Sequence, residues 1–151
     1  MNAITVEIGP KTDLGRLYPR YDDSAGILAV ESKFERPWAF GVDIDGRIIF
    51  DIDERRVLAN LDLHIPKKRW KKEARKRPPE RCCFGDLIFS QKTIKIKSFS
   101  LPLMVSSDEL CREVHIQFGS STPDRAVGLS SSCLALLYQN ELVGFFVRDL
   151  S

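Results

Sequence analysis

The sequence predicts a mainly β protein built of antiparallel meanders and hairpins, with little helix. Three observations carry this. Apolar and polar residues alternate with period two along much of the chain, as they do in strands with one buried and one wet face. Turn residues interrupt the alternation at short intervals, Asp45-Gly46 most clearly. Segments with a helical apolar rhythm and matching caps are scarce.

In chain order, Ile4, Val6 and Ile8 alternate with Thr5 and Glu7 in a first strand. Strands are expected next at 26–31, 38–44 and 47–52. Between the last two, Asp45-Gly46 has the residue types of a two-residue type I′ turn, whose central positions both need positive φ. The stretch "DIDERR" turns the chain into a strand at 57–65, where Leu61, Leu63 and Ile65 alternate with Asn60, Asp62 and His64. Later strands are expected at 86–89, 99–105, 125–129, 133–138 and 141–148. Two more follow from alternation: Ile94 and Ile96 against Thr93, Lys95 and Lys97, and Val114, Ile116 and Phe118 against Glu113, His115 and Gln117. Ser106 and Glu109 form a weak capping box for a short helical turn. Residues 66–77 offer only Trp70 and Ala74 to an apolar stripe, and Pro78-Pro79 would end any helix there. That segment is read as a solvated, mobile connection.

The chain also suggests two similar halves, 27–65 and 114–150. Shifted by 87 residues, "ILAVESKFERPWAFGVDIDGRIIFDIDE" lies over "VHIQFGSSTPDRAVGLSSSCLALLYQNE" with matching apolar positions. Each half would be a strand, a loop and a three-stranded meander.

Length and composition bound the rest. The 151 residues suit a single domain spanning 1–151, with 43% hydrophobic and 29% charged residues, near the globular average. No apolar run reaches the ~20 residues of a membrane helix. "MNAITVEIGPK" has no basic start followed by an apolar stretch, so no secretory leader is expected. Cys82, Cys83, Cys111 and Cys133 show no framework spacing. Free thiols in a cytoplasmic protein are the expectation. The net charge of +2 hides an asymmetry: residues 67–81 hold nine Lys or Arg against two Glu, so the remainder is net acidic.

Candidate chemistry is thin. Asp43, Asp45, Asp51, Asp53 and Glu54 crowd one window, but a calcium loop started at Asp43 or Asp51 meets Arg47 or Arg55 at its fifth position. A cation there disqualifies it, and the carboxylates are expected at turns and on polar strand faces. His64, His115 and the cysteines lack C-x-x-C or H-x-x-x-H spacing, so no metal is expected. "GSSTPDR" lacks the remainder of a phosphate loop, and no dinucleotide fingerprint or G-x-S-x-G elbow occurs. Cys133 with His115 is the one nucleophile-and-base pair to weigh, and Cys133 opens an apolar run that suits an inert buried thiol. No catalytic residue and no cofactor are therefore assigned.

Tyr21, Asp22, Ala25, Leu28 and Val30 in "YDDSAGILAVES", then Asp51, Asp53 and Leu58 to Leu63, carry a resemblance. The stretch 21–65 resembles a family of short bacterial proteins with a Y-D-x-x-A-D-x-L motif followed by an acidic turn and a further strand. Gly26 stands where that family usually has Asp. The resemblance implies a small β-meander module of bacterial type, sometimes duplicated, and no activity.

The expected function is a non-catalytic binding or interaction module. Its candidate surface is Lys67, Lys68, Arg69, Trp70, Lys71, Lys72, Arg75, Lys76 and Arg77, in the basic connection 66–81. The partner expected is another, acidic protein or a second copy of the chain. The alternative is a nucleic acid, with the cations on phosphates and Trp70 stacked on a base.

Overall fold

The computed structural model describes residues 3–13, 16–34, 37–73 and 77–150, apart from the side chain of Cys82. In chain order the elements are β1 (Val6–Gly9), β2 (Leu17–Asp22), β3 (Ile27–Ser32), β4 (Phe40–Ile44), β5 (Ile48–Ile52) and β6 (Leu58–Leu63). A 3-10 turn (Lys67–Arg69) leads to β7 (Lys71–Lys72), β8 (Arg81–Phe84), β9 (Asp86–Phe89), α1 (Gln91–Ile96) and β10 (Ser98–Phe99). The chain ends with β11 (Leu103–Ser107), β12 (Val114–Phe118), β13 (Arg125–Ser130), β14 (Cys133–Tyr138) and β15 (Glu141–Val147). The fold is mainly β, as the alternation predicted.

Two sheets face each other across one core. The six-stranded sheet runs β10-β4-β5-β6-β3-β2, and the seven-stranded sheet runs β7-β11-β12-β15-β14-β13-β8. A separate pair, β1-β9, is antiparallel. The period-two pattern places Ile48, Phe50 and Ile52 inside, while Ile49 and Asp51 are half-buried on the other face. Phe50 meets Phe89, Phe118 and Phe145 at ring-centroid distances of 5.4, 6.3 and 6.1 Å. One buried cluster therefore draws on both sheets. A smaller cluster, Ala126, Leu134, Leu136, Val143 and Phe146, occupies the other side of the seven-stranded sheet.

The two halves share one strand order. In the first, the meander and its preceding strand run β4-β5-β6-β3; in the second they run β13-β14-β15-β12. Each gains an antiparallel hairpin partner from the chain before it, β2 beside β3 and β11 beside β12. Each also ends in a short parallel strand, β10 on β4 and β8 on β13. The apolar pattern at 27–65 and 114–150 thus corresponds to a repeated topology.

The Asp45-Gly46 turn forms, with φ of 51° and 68°. Ile44 pairs with Ile48, so the loop holds three residues where two were expected. Three further local expectations are corrected. Residues 93–97 are not a strand: Ser90 caps α1, its Oγ accepting from the Thr93 N–H at 3.2 Å, and Lys97 ends the helix at φ 67°. Five residues of alternation were too short to outweigh that cap. The Ser106 capping box makes no helix, because Ser106 and Ser107 pair with His115 and Val114 in the sheet. Asp108 instead closes a turn, its Oδ1 accepting from the N–H groups of Arg112 and Glu113 at 2.8 and 3.0 Å. The strand expected over 99–105 breaks around Pro102, where the chain leaves the six-stranded sheet and enters the other. β2, β7 and β8 were not foreseen.

Candidate binding surface

The basic connection is built into the fold at both ends. After Pro66, the 3-10 turn delivers Trp70 inward. Trp70 is only 4% exposed. Its Nε1 donates to the Ile65 carbonyl at 2.8 Å, and its ring stands edge-on to Tyr21 at 5.6 Å. The Tyr21 hydroxyl accepts from the Lys67 N–H at 3.0 Å, and the Lys67 ammonium lies 4.3 Å from the Tyr21 ring centroid. Two expectations are therefore corrected. Trp70 is a core residue with no free face for a base. The first part of the connection is anchored by an indole that lost its exposure to apolar packing, and it is not a loose tether.

Lys71 and Lys72 form β7 and pair in parallel with Ser106 and Ser107 at one edge of the seven-stranded sheet. Lys71 is paired with Glu73 at 2.8 Å. The Lys72 ammonium donates to the Ser107 Oγ at 3.0 Å and also contacts the Cys111 Sγ. Arg75 and Lys76 lie outside the described residues. From Arg77 the chain runs along the outer side of the sheet. Arg77, Pro78, Pro79, Glu80 and Arg81 line a cleft of about 280 Å³ with Glu113, Leu134, Phe146 and Arg148. It then joins the opposite edge of the same sheet as β8. Lys68, Arg69, Lys71, Lys72, Arg77 and Arg81 are exposed, while Lys67 is half-buried.

Sequence reasoning missed part of this surface. Arg148, at the end of β15, joins the cleft from a segment with no charge run. Arg81 stacks its guanidinium 3.9 Å from the centre of the Phe84 ring. Phe84 itself lies over Gly128, where any Cβ would fall 2.6 Å from its Cδ1. Only a parallel pairing of β8 with β13 brings these groups together, and nothing local in the sequence announces that pairing.

The acidic window does structural work. Asp43 accepts from the Gly46 N–H at 2.9 Å and the Ser98 hydroxyl at 2.6 Å. Asp53 accepts from the N–H groups of Arg55 and Val57, both at 2.9 Å. Asp51 accepts from the Asn60 amide at 3.1 Å. Among the described residues no three His, Cys, Asp or Glu side chains gather where one ion would reach them. Cys133 and His115 do not form a pair. Val114 and Cys133 both lie opposite Val147, facing the main core, whereas His115 lies opposite Phe146 on the other side of the sheet. Burial pushes the Cys133 thiol up to about 12, far from the range of an activated nucleophile.

Among the described residues no helix is long and apolar enough to cross a membrane. A scan against protein-family models finds no match for the chain, and a search of curated proteins finds none either.

Proposed function

We propose that this chain is a non-catalytic interaction module whose basic surface docks on the acidic face of another protein. One observation carries the reading. The exposed cations Lys68, Arg69, Lys71, Lys72, Arg77 and Arg81 stand on backbone held by a 3-10 turn, a buried indole and two sheet edges. Charges held in place favour a folded partner with complementary charges, because less side-chain and loop freedom is lost on docking. The withdrawal of Trp70 removes the stacking platform that a single-strand binder would use. A cytoplasmic setting and kinship with the short bacterial β-meander family fit this reading and rest on the sequence alone.

The test compares wild type with K68E/R69E/R77E, each immobilised and exposed to extract from the native host before and after nuclease treatment. A protein retained by wild type, lost on the triple variant and indifferent to nuclease is the expected result. Equal retention by both baits overturns the proposal. So does retention abolished by nuclease, joined to a gel shift that weakens steeply with salt, which would assign the surface to nucleic acid.

A further inference from the structure

A second cleft lies where the start of β2 approaches the β13–β14 turn. Lys11, Arg16, Tyr18, Phe84, Ser130 and Ser131 line a cavity of about 450 Å³, within the ~300–1,000 Å³ range of small-molecule sites. None of these lining residues belongs to the basic connection; the two surfaces meet only through Arg81, which stacks on Phe84.

Its two aromatic walls are each backed by a cation. The Lys33 ammonium sits 4.4 Å from the Tyr18 ring centroid, and the Arg81 guanidinium sits 3.9 Å from that of Phe84. Phe84 keeps 45% of its surface exposed, and its contact with the bare backbone of Gly128 fixes the ring without covering it. Two further cations line the cavity directly. The Lys11 ammonium donates to the Leu129 carbonyl and lies 4.0 Å from Asp86, while the Arg16 guanidinium lies 3.8 Å from an exposed Asp13. Asp86 is buried beneath Lys11 and accepts from the Thr12 N–H at 3.2 Å. The Ser130 Oγ accepts from the Ser132 N–H at 3.1 Å, and the Ser131 carbonyl accepts from Arg148 Nε at 2.7 Å, which holds the turn in place. Of the cations, Lys11 and Arg16 line the cleft, Lys33 and Arg81 sit against its aromatic residues, and Asp86 lies beside Lys11. Burial lowers the Lys11 ammonium below the usual lysine range despite the charge of Asp86, a cost that an anion seated beside it would relieve.

We propose that this cleft binds a small organic anion carrying one flat aromatic group, with the ring against Phe84 and the charged head at Lys11 and Arg16. A phosphate ester and an aryl carboxylate share that chemistry. Isothermal titration with adenosine monophosphate and with 2-naphthoate separates the two, and inorganic phosphate and neutral 2-naphthol supply the controls. Sub-millimolar binding of either aryl anion is expected, with both controls at least tenfold weaker. Arg16→Glu and Phe84→Leu should each weaken binding tenfold or more while the melting curve stays cooperative; Arg16→Gln gives a milder loss if charge reversal disturbs the loop. K68E/R69E/R77E should bind as wild type does, so this site and the docking surface fail or stand separately. Absence of binding by both aryl anions at 5 mM overturns the assignment. So does inorganic phosphate binding as tightly as the aryl anions, or an Arg16→Glu variant that binds unchanged.

Discussion

Asp62 sits on the outer face of β6, opposite Ala29 and Ile49 and close to Asp51 and Glu31. Burial raises its carboxyl above the usual aspartate range, Asp51 and Glu31 push the same way, and the Asn60 amide and His64 oppose them. A folded-state pKa above the unfolded ~3.9 means that the native state holds the proton longer. Stability is then lost as pH rises from the unfolded value through the folded one. Asp62→Asn should therefore raise the melting temperature at pH 7, and the gain should vanish by about pH 3. Melting curves across that range check this, and a gain that persists unchanged in acid would contradict it. The same scale shows what a reader of the sequence can recover. Asp45-Gly46 was legible because positive φ is a demand of the turn itself. Trp70 was not, since a single indole among cations looks the same in sequence whether it faces solvent or turns inward. Tyr21, its edge-on partner, lies 49 positions earlier in the chain.

Among the elements, the 3-10 turn and β7 depend on that indole most directly. Trp70→Ala removes a buried ring and the hydrogen bond to Ile65. A loss of about 3–5 kcal/mol is expected from urea unfolding, the usual cost of emptying a large aromatic site. The more specific sign is local. Trypsin should cut the native variant faster than wild type within 67–81, because β7 loses its anchor. Equal cleavage rates would show that the sheet edges alone hold the connection. Legibility at this scale varied from strand to strand. The strands at 86–89 and 133–138 have the bounds expected, and those at 27–32, 48–52 and 141–147 differ by a residue at one end or both. α1 was misjudged because Ile94 and Ile96 alternate, while the decisive groups lie elsewhere. The Thr5 N–H donates to Thr93 Oγ1 at 3.0 Å, and the Thr5 and Ser90 hydroxyls meet at 2.5 Å. β2 hid behind Pro19, a residue that strands tolerate at a sheet edge, and the edge is where β2 lies.

For the whole molecule, one shared core implies one transition. Phe50 comes from the middle of the six-stranded sheet and touches Phe118 and Phe145 of the other. Phe50→Ala should cost about 3–5 kcal/mol and shift a single unfolding transition, with far-UV and aromatic signals moving together. Two separate transitions would show that the sheets hold themselves independently. The repeated topology was legible as a faint apolar pattern, because buried faces set register and spacing in both halves. The candidate clefts were not. They depend on the parallel pairing of β8 with β13 and on the approach of β2 to the β13–β14 turn, contacts that no local pattern encodes.

The short parallel strands at the sheet ends are exchanged across the middle of the chain. β8 precedes α1 yet hems the later sheet, and β10 follows α1 yet hems the earlier one. Neither repeat can be excised without leaving a raw margin on which another chain could add. A nick within α1 would yield two fragments each holding a border strand that the other lacks. The molecule is stitched in the manner that lets severed pieces find each other again.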